Sequence, residues 1–207
     1  GTYQLSGGVL TNCSVVYVGN NGIGTFELSG SGEVNGSTAS TFISYANGST
    51  GTVTQSGGTW NNNAQSLVIG SQAGAVGTYQ LSGGVLTNCE TIYIGNSGSG
   101  TFELSASGLV TGSPAWKRTT IGESAGSAGL FVQTGGTFNN ADNHRIDVGN
   151  NGTGTYQLSG GVVTNLRYLS VGRSSGTGTA HITGDDASIH VAEFSIQIGR
   201  ASCRERG

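Results

Sequence analysis

The densest group of residues that could do chemistry lies near the end of the chain. His181, Asp185, Asp186 and His190 fall close together, and Glu193 follows. Imidazole and carboxylate groups are good ligands for divalent metals. However, the spacing fits no established metal motif, and an irregular stretch is a poor support for preorganised ligands. We therefore predict no metal site here.

Other charged residues are scattered along the sequence. His144, Arg145 and Asp147 form a second local cluster, which we interpret as a solvated loop. Glu27 and Glu103 are equivalents three repeats apart. Stacked repeats would separate them by about 14 Å, too far for the carboxylate pair of a glycosidase. No GxSxG elbow, phosphate loop, CxxC pair or calcium nonapeptide occurs. We predict that the protein is not an enzyme and has no catalytic, cofactor-binding or metal-binding residues.

The cysteines are expected to pack and not to react. Cys13 and Cys89 hold the same place in the first and fourth repeats, and Leu166 takes that place in the seventh. Stacking would put the two sulfur atoms about 14 Å apart, whereas a disulfide needs Cα atoms within about 7 Å. Replacement by leucine indicates a small buried apolar side chain.

All of these residues belong to a chain built from repeats. The phrase GTYQLSGGVLTNC at residues 1–13 recurs unchanged at 77–89, and at 154–165 with one conservative change. Degenerate copies lie between them, so eight coils are predicted to begin at residues 1, 24, 51, 77, 100, 129, 154 and 178. Three coils make a longer repeat, which divides a single domain of residues 1–199 into 1–76, 77–153 and 154–199. Repeats of this length are typical of stacked units that bury their apolar faces against one another.

Within each repeat the pattern is that of short strands. Apolar and polar residues alternate over residues 1–6, which is the period of a half-buried strand. One inward column is predicted to contain Tyr3, Phe26, Val53, Tyr79, Phe102, Phe131, Tyr156 and Ala180. A second is predicted to contain Leu5, Leu28, Gln55, Leu81, Leu104, Gln133, Leu158 and Ile182. A second strand carries Leu10, Val34, Trp60, Leu86, Val110, Phe138, Val163 and Ile189.

Two glutamines interrupt the inward leucine column. Gln55 and Gln133 stand at the same phase of the longer repeat. A buried amide without partners costs about 1–3 kcal/mol, so we expect each one to bond to the backbone of the adjacent coil.

A third strand ends in an apolar-x-apolar-Gly signature. We assign it to VYVG (16–19), LVIG (67–70), IYIG (92–95), TTIG (119–122), IDVG (146–149), LSVG (169–172) and IQIG (196–199), with SYAN (44–47) as the divergent copy in the second repeat. Three strands that return in the same order describe one turn of a parallel β-helix. The sequence therefore predicts an all-β, right-handed parallel β-helix (β-solenoid) of about eight coils, with three short strands per coil.

Composition and charge exclude some classes of partner. The net charge is −3 and the sequence shows no run of basic residues, so no nucleic-acid partner is expected, because binding to phosphates needs grouped cations. No apolar run approaches the ~18–20 residues that a membrane-spanning helix needs, and we predict no membrane-spanning segment. Glycine supplies 39 residues, but the regular apolar positions argue against disorder.

The amino-acid sequence of the repeats resembles that of a known family. GTYQLSGG, GTVTQSGG and the VGNNG connector resemble the Gly-rich repeats of bacterial PEP-CTERM and autotransporter-associated (type V secretion) proteins, over residues 1–199. This resemblance implies an exported, extracellular or cell-surface β-solenoid in a passenger or stalk role, with no shared catalytic motif. IGRASCRERG (198–207) resembles a translated sequencing adaptor. We therefore expect residues 200–207, with Cys203, to be a non-native tail on part of a longer metagenomic or transcriptomic sequence. The alternative is a genuine Arg-rich tail.

Three functions are considered on these grounds. The first is an extracellular structural or adhesive solenoid, a stalk, passenger or filament-forming surface protein without catalysis. Unpaired strand edges at its ends predict end-to-end self-association. The alternative is a carbohydrate-binding or polysaccharide-cleaving β-helix, with surface glycans as partners.

The third function is ice binding, suggested by an outward column of threonines. The column is predicted to contain Thr2, Thr25, Thr52, Thr78, Thr101, Thr155 and Thr179, with Leu130 as its break. The neighbouring outward column holds mostly Gln and Glu, including Glu27 and Glu103, which disfavours a flat ice-binding surface. We favour the simpler interpretation, in which β-branched residues stabilise a parallel ladder.

Overall fold

The computed structural model describes residues 1–112 and 118–196, and these residues form strands, turns and bends but no helix. The strands are β1 (Thr2–Leu5), β2 (Val9–Cys13), β3 (Val16–Val18), β4 (Ile23–Leu28), β5 (Glu33–Ser37), β6 (Thr41–Ile43), β7 (Thr50–Ile69), β8 (Val76–Ile94), β9 (Ser99–Leu104), β10 (Leu109–Thr111), β11 (Arg118–Ile121), β12 (Ala128–Val148), β13 (Thr153–Val171), β14 (Thr177–Ile182) and β15 (Ala187–Ile196). The predicted tail, residues 200–207, lies outside the described residues.

Successive copies of the repeat lie on top of one another as a β-solenoid of about seven turns. Every pairing between these strands is parallel, and each strand pairs with its equivalent in the coil above or below. Three strands build a coil where corners interrupt the ladder, as in β1–β3, whereas β7, β8, β12 and β13 each run around a whole coil. The predicted parallel β-helix is confirmed, and its about eight coils agree closely with the structure.

Each coil contributes to three faces of the solenoid. Face 1 comprises residues 2–5, 25–28, 52–55, 78–81, 101–104, 130–133, 155–158 and 179–182. Face 2 comprises residues 9–11, 33–35, 59–61, 85–87, 109–111, 137–139, 162–164 and 188–189. Face 3 comprises residues 16–18, 41–43, 67–69, 92–94, 119–121, 146–148, 169–171 and 194–196. The predicted columns of faces 1 and 2 are all observed in register.

The core is a stack of aromatic and branched side chains from all three faces. Phe102 lies 5.2 Å from Phe131, and Phe131 lies 4.8 Å from Tyr156, measured between ring centroids. The small Val53 interrupts this column, and Trp60 of face 2 fills the space, with its ring centroid 5.0 Å from Phe26 and 6.0 Å from that of Tyr79. These side chains are buried, so the aromatic column forms the core, as predicted.

The side-chain amides of the two inward glutamines are hydrogen-bonded to backbone carbonyl groups. Gln55 Nε2 donates to the carbonyls of Gly58 (3.2 Å) and of Val85 in the next coil (3.1 Å), and Gln133 Nε2 donates to the carbonyl of Val162 (3.3 Å). The expectation of bonds to the adjacent backbone is confirmed.

The corner after face 3 requires a positive φ. Glycine supplies it in six coils, for example Gly70 (φ 72°) and Gly95 (φ 74°), and Ser44 (φ 64°) supplies it in the second. The buried Ser44 hydroxyl lies 2.8 Å from the Ser49 carbonyl and 2.7 Å from Ser49 Oγ. These bonds offset the strain of a left-handed serine.

Two of the predicted third strands are wrong in register. In the second coil the strand is Thr41–Ile43, paired with Val16–Val18, and not residues 44–47. In the last coil Phe194 and Ile196 pair with Leu169 and Val171, so residues 194–196 take the place predicted for 196–199. In the last coil the assignment followed the glycine of IQIG, whereas in the second coil Ser44 stands where the signature has glycine, so the end of the strand was not recognised.

Candidate functional site

The structure does not bring the C-terminal histidines and carboxylates together as a ligand set. His181 lies on face 1 opposite Gln157, whereas Glu193 lies beside face 3 opposite Tyr168. His190 Nε2 lies 3.1 Å from Ser188 Oγ. Within residues 1–112 and 118–196, no three His, Cys, Asp or Glu side chains are placed to hold a metal ion.

The outward columns of face 1 form a hydrogen-bonded ladder. Gln4 Nε2 donates to Glu27 Oε2 at 2.6 Å, and Gln80 Nε2 donates to Glu103 Oε2 at 2.9 Å. The threonine column beside it stacks in the predicted register. The charged glutamates are therefore bound by neighbouring amides and do not face one another.

Both described cysteines are free thiols. Cys89 is buried and Cys13 is partly buried. Burial raises the pKa of the Cys89 thiol far above its ordinary value. Cys89 is buried in the core as predicted, and a thiol with a raised pKa carries little thiolate and reacts slowly.

The cluster of His144, Arg145 and Asp147 is not a solvated loop, and that prediction is wrong. These residues belong to β12, and the side chains of His144 and Asp147 are fully buried. His144 is buried opposite Leu166 of the next coil. The alternation over residues 144–148, with inward His, Ile and Val, is the signal that could have identified this strand.

His144 is held neutral inside the core. One of its ring nitrogens, Nε2, lies 3.2 Å from Thr119 Oγ1. Burial, together with the neighbouring charge of Arg145, lowers the pKa of His144 to about 3. An imidazole with this pKa is uncharged at neutral pH.

Asp147 is a buried carboxylate that holds two arginines. Its Oδ2 lies 2.7 Å from Arg145 Nε and 3.4 Å from Arg173 Nη1. Burial raises the pKa of Asp147, and the charges of Arg145 and Arg173 oppose that change. Within the described part of the chain, Asp147 Oδ1 and the adjacent Thr120 Oγ1 are buried without a hydrogen-bond partner. Such unsatisfied groups cost about 1–3 kcal/mol each and are rare in native structures.

Arg118 is held in a similar way one coil earlier. Its Nη2 lies 3.3 Å from the Tyr93 hydroxyl and 3.1 Å from Glu123 Oε1. Asn150 Nδ2 in turn donates to Glu123 Oε2 at 3.1 Å. Burial opposes the charged form of Arg118, but the contacts with Tyr93 and Glu123 outweigh it and raise its pKa.

Arg118 and Arg145 line an open groove along the outer side of face 3. The groove has a volume of about 500 Å³, and Glu90, Thr91, Tyr93 and Tyr168 also line it. Thr91, Arg118, Arg145 and Tyr168 occupy successive rungs of one ladder. We call this feature the Arg–Tyr groove.

The four cationic side chains described by the structure are concentrated around the Arg–Tyr groove. Besides Arg118 and Arg145, these are Arg173, which contacts Asp147, and Arg167, whose guanidinium lies 5.0 Å from the centroid of the Tyr168 ring. Sequence analysis missed this cluster because Arg118, Arg145 and Arg173 are separated by 27 and 28 residues. That separation is one coil, so stacking makes distant arginines neighbours.

The chain matches no family model, no curated protein and no solved structure. Within the described ranges, no helix is long and apolar enough to cross a membrane.

Proposed function

We propose that this chain is a structural or adhesive segment of an extracellular or cell-surface protein, acting as a stiff spacer without catalysis. The observation that carries the proposal is the parallel ladder of face 1, which continues in register from Thr2–Leu5 to the last coil. Seven steps at the usual strand spacing make a rod about 34 Å long. A stalk or passenger of this kind resists bending because its hydrogen bonds run along the rod axis.

Single-molecule pulling along the rod axis tests the spacer role. With one handle attached before residue 1 and one on the last coil, we expect stepwise extension, in which each step releases about one coil. Repeat proteins whose units contact only their neighbours unfold in this manner. A smooth extension at low force would contradict the spacer role.

Self-association through the end faces belongs to the same proposal. Large apolar side chains are exposed at the first and last levels, including Tyr3 (49%), Val9 (54%), Phe194 (57%) and Ile196 (58%). Apolar surface at the end of a strand ladder favours addition of another strand, either from further coils of a longer chain or from a second copy of this chain. Sedimentation velocity over a wide concentration range should show chains of copies, and a monomer at every concentration would contradict this part of the proposal.

Carbohydrate binding is the second candidate function. It is favoured by the Arg–Tyr groove, in which the aromatic side chains of Tyr93 and Tyr168 lie beside the polar groups of Thr91 and Glu90. Aromatic side chains combine an apolar ring with a polar tip, and a few placed polar groups provide specificity in ligand sites. A glycan array probed with the whole chain tests this candidate, and no binding above background would reject it.

A further inference from the structure

We propose that the Arg–Tyr groove binds a carboxylated oligosaccharide, a run of uronic acid residues, through Arg118 and Arg145. The proposal rests on the carbohydrate-binding candidate and adds the charge class of the ligand and the residues that contact it. A rod without a ligand would serve equally well as a spacer, so the structural role does not depend on it.

The two groove arginines are placed where the fold alone would not favour them. Arg118 and Arg145 are register partners on neighbouring parallel strands, and like charges directly opposite one another destabilise a sheet. The chain as a whole is acidic, with 11 Asp and Glu against 8 Lys and Arg. Asp147 and Glu123 each hold one of these arginines. The exposed parts of the two adjacent guanidinium groups still form a positive surface in the groove, which favours an anionic ligand.

Both guanidinium groups keep N–H groups available for a ligand. Arg145 meets Asp147 through Nε, and Arg118 meets Tyr93 and Glu123 through Nη2 alone. Their side chains retain 30% and 27% of their exposure. A planar guanidinium with free N–H groups pairs with a carboxylate through two parallel hydrogen bonds.

Asp147 is a positioning residue for this site. It is fully buried and contacts both Arg145 and Arg173, so it holds Arg145, which lines the groove, through Nε. A charge held by a packed partner loses less conformational entropy when it binds.

The remaining lining of the groove fits a sugar better than a phosphate chain. Thr91 adds a hydroxyl, and Tyr93 and Tyr168 add aromatic and phenolic groups to the lining. The guanidinium groups of Arg118 and Arg167 lie over these two rings, 5.5 Å and 5.0 Å from the centroids. The volume of about 500 Å³ falls within the usual range of small-molecule sites.

Calorimetric titration of the whole chain with oligogalacturonate tests the proposal, and the fully methyl-esterified oligomer is the neutral probe. We expect binding of the acid form, binding at least about tenfold weaker for the ester, and a loss of affinity with added salt, since exposed ion pairs are screened. Arg145→Gln and Arg118→Gln should each lower the affinity about tenfold or more. Glu33→Gln removes a charge from an exposed side chain on face 2, away from the groove, and should leave the affinity within about twofold.

Several results would overturn the proposal. Equal affinity for the acid and ester forms would leave carbohydrate binding standing but would exclude the role of the arginines. Tighter binding of inorganic polyphosphate than of oligogalacturonate would assign the groove to phosphate, and no binding of either oligomer would exclude the ligand class. Because Arg145→Gln weakens the support of Asp147, its thermal unfolding is measured in parallel. Arg118→Gln and the ester probe test the claim without altering the contacts of Asp147.

Discussion

The phenolic hydroxyl of Tyr79 donates a hydrogen bond to Oε1 of Gln55, one coil below it in the core, at 2.5 Å. The same relationship recurs at 3.0 Å between Tyr156 and Gln133. Where the preceding coil has an inward leucine, the next coil has phenylalanine, valine or alanine and not tyrosine, as with Leu81 and Phe102. Tyrosine therefore stands in the coil that follows a glutamine, and each buried polar group satisfies the other.

A double-mutant cycle measures the coupling between Tyr79 and Gln55. Tyr79→Phe leaves Gln55 Oε1 without its donor, and Gln55→Leu leaves the tyrosine hydroxyl without its acceptor. Each single change should lower the free energy of unfolding by about 1–3 kcal/mol. The double variant recreates the native leucine–phenylalanine pairing and should recover at least about 1 kcal/mol of the summed loss.

Chemical denaturation with urea, followed by circular dichroism, provides these free energies. The equivalent cycle on Tyr156 and Gln133 is the internal replicate, because the same contacts recur there. Strict additivity of the two single changes in both cycles would show that these hydrogen bonds do not stabilise the core.

Buried His144 makes the fold sensitive to acid. Its pKa is about 3 in the folded chain against an ordinary 6.5, so the unfolded chain takes up the proton first. Its contribution to stability is complete above pH 6.5 and falls with decreasing pH towards 3, by about 1.4 kcal/mol per pH unit. His144→Leu copies Leu166 of the next coil and should remove this acid-dependent loss.

Thermal unfolding at several pH values between 7 and 4 tests the role of His144. The difference in stability between the variant and the original chain should move in favour of His144→Leu as the pH falls. His181→Leu, which alters an exposed histidine, is the matched control. A pH-independent difference for His144→Leu would contradict the assignment of His144 as a buried neutral group.

Substitution by alanine is predicted to destabilise the fold by different amounts at two glycines. Gly95 (φ 74°) and Gly126 (φ 81°) both have a positive φ, but a Cβ at Gly95 would overlap the carbonyl of Ala128, whereas a Cβ at Gly126 would meet open space. Gly126→Ala should cost about 1 kcal/mol, the strain of a left-handed alanine. Gly95→Ala adds a backbone clash and should cost about 2–4 kcal/mol in total. Equal melting temperatures for the two variants would show that the coils do not approach so closely.

Tyrosine ionisation should report unfolding at alkaline pH. Burial raises the pKa of Tyr79 and of Tyr156 above the ordinary value of 10.0. The folded chain retains these protons longer than the unfolded chain does, so the stability that they contribute is present below pH 10 and is lost as the pH rises above it. Tyrosinate absorbance and circular dichroism should change together for these two residues. Their full ionisation in a chain that keeps its fold would contradict the burial.

Sequence patterns predicted the ladders of faces 1 and 2 because identical positions of a repeat become neighbours when coils stack. Tyr3 opposite Phe26 and Trp60 opposite Leu86 follow directly from that rule. The third strand was harder to predict, since its signature depends on a terminal glycine. Ser44 takes the same left-handed conformation with the help of Ser49, and a pattern based on residue type does not reveal this.

The Arg–Tyr groove could not be predicted from local composition. Arg118 and Arg145 lie 27 residues apart in sequence and become neighbours only through the ladder. Asp147 resembles a surface residue in the sequence, and its burial follows from the arginines that pack around it. A search for charged residues separated by one coil length would have found the two arginines. It would not have found the contacts of Arg118 with Glu123 and Tyr93.

Distances between spin labels on the outward threonine column test the stacking of the coils most directly. With the native cysteines replaced, one label is placed at Thr2 and the other at Thr101 or at Thr179, four or seven rungs away. Pulsed electron paramagnetic resonance should give about 19 Å and about 34 Å between the two labelled backbone sites, because each rung adds about 4.8 Å. Distances that do not increase in proportion to the number of coils would contradict the parallel, in-register solenoid.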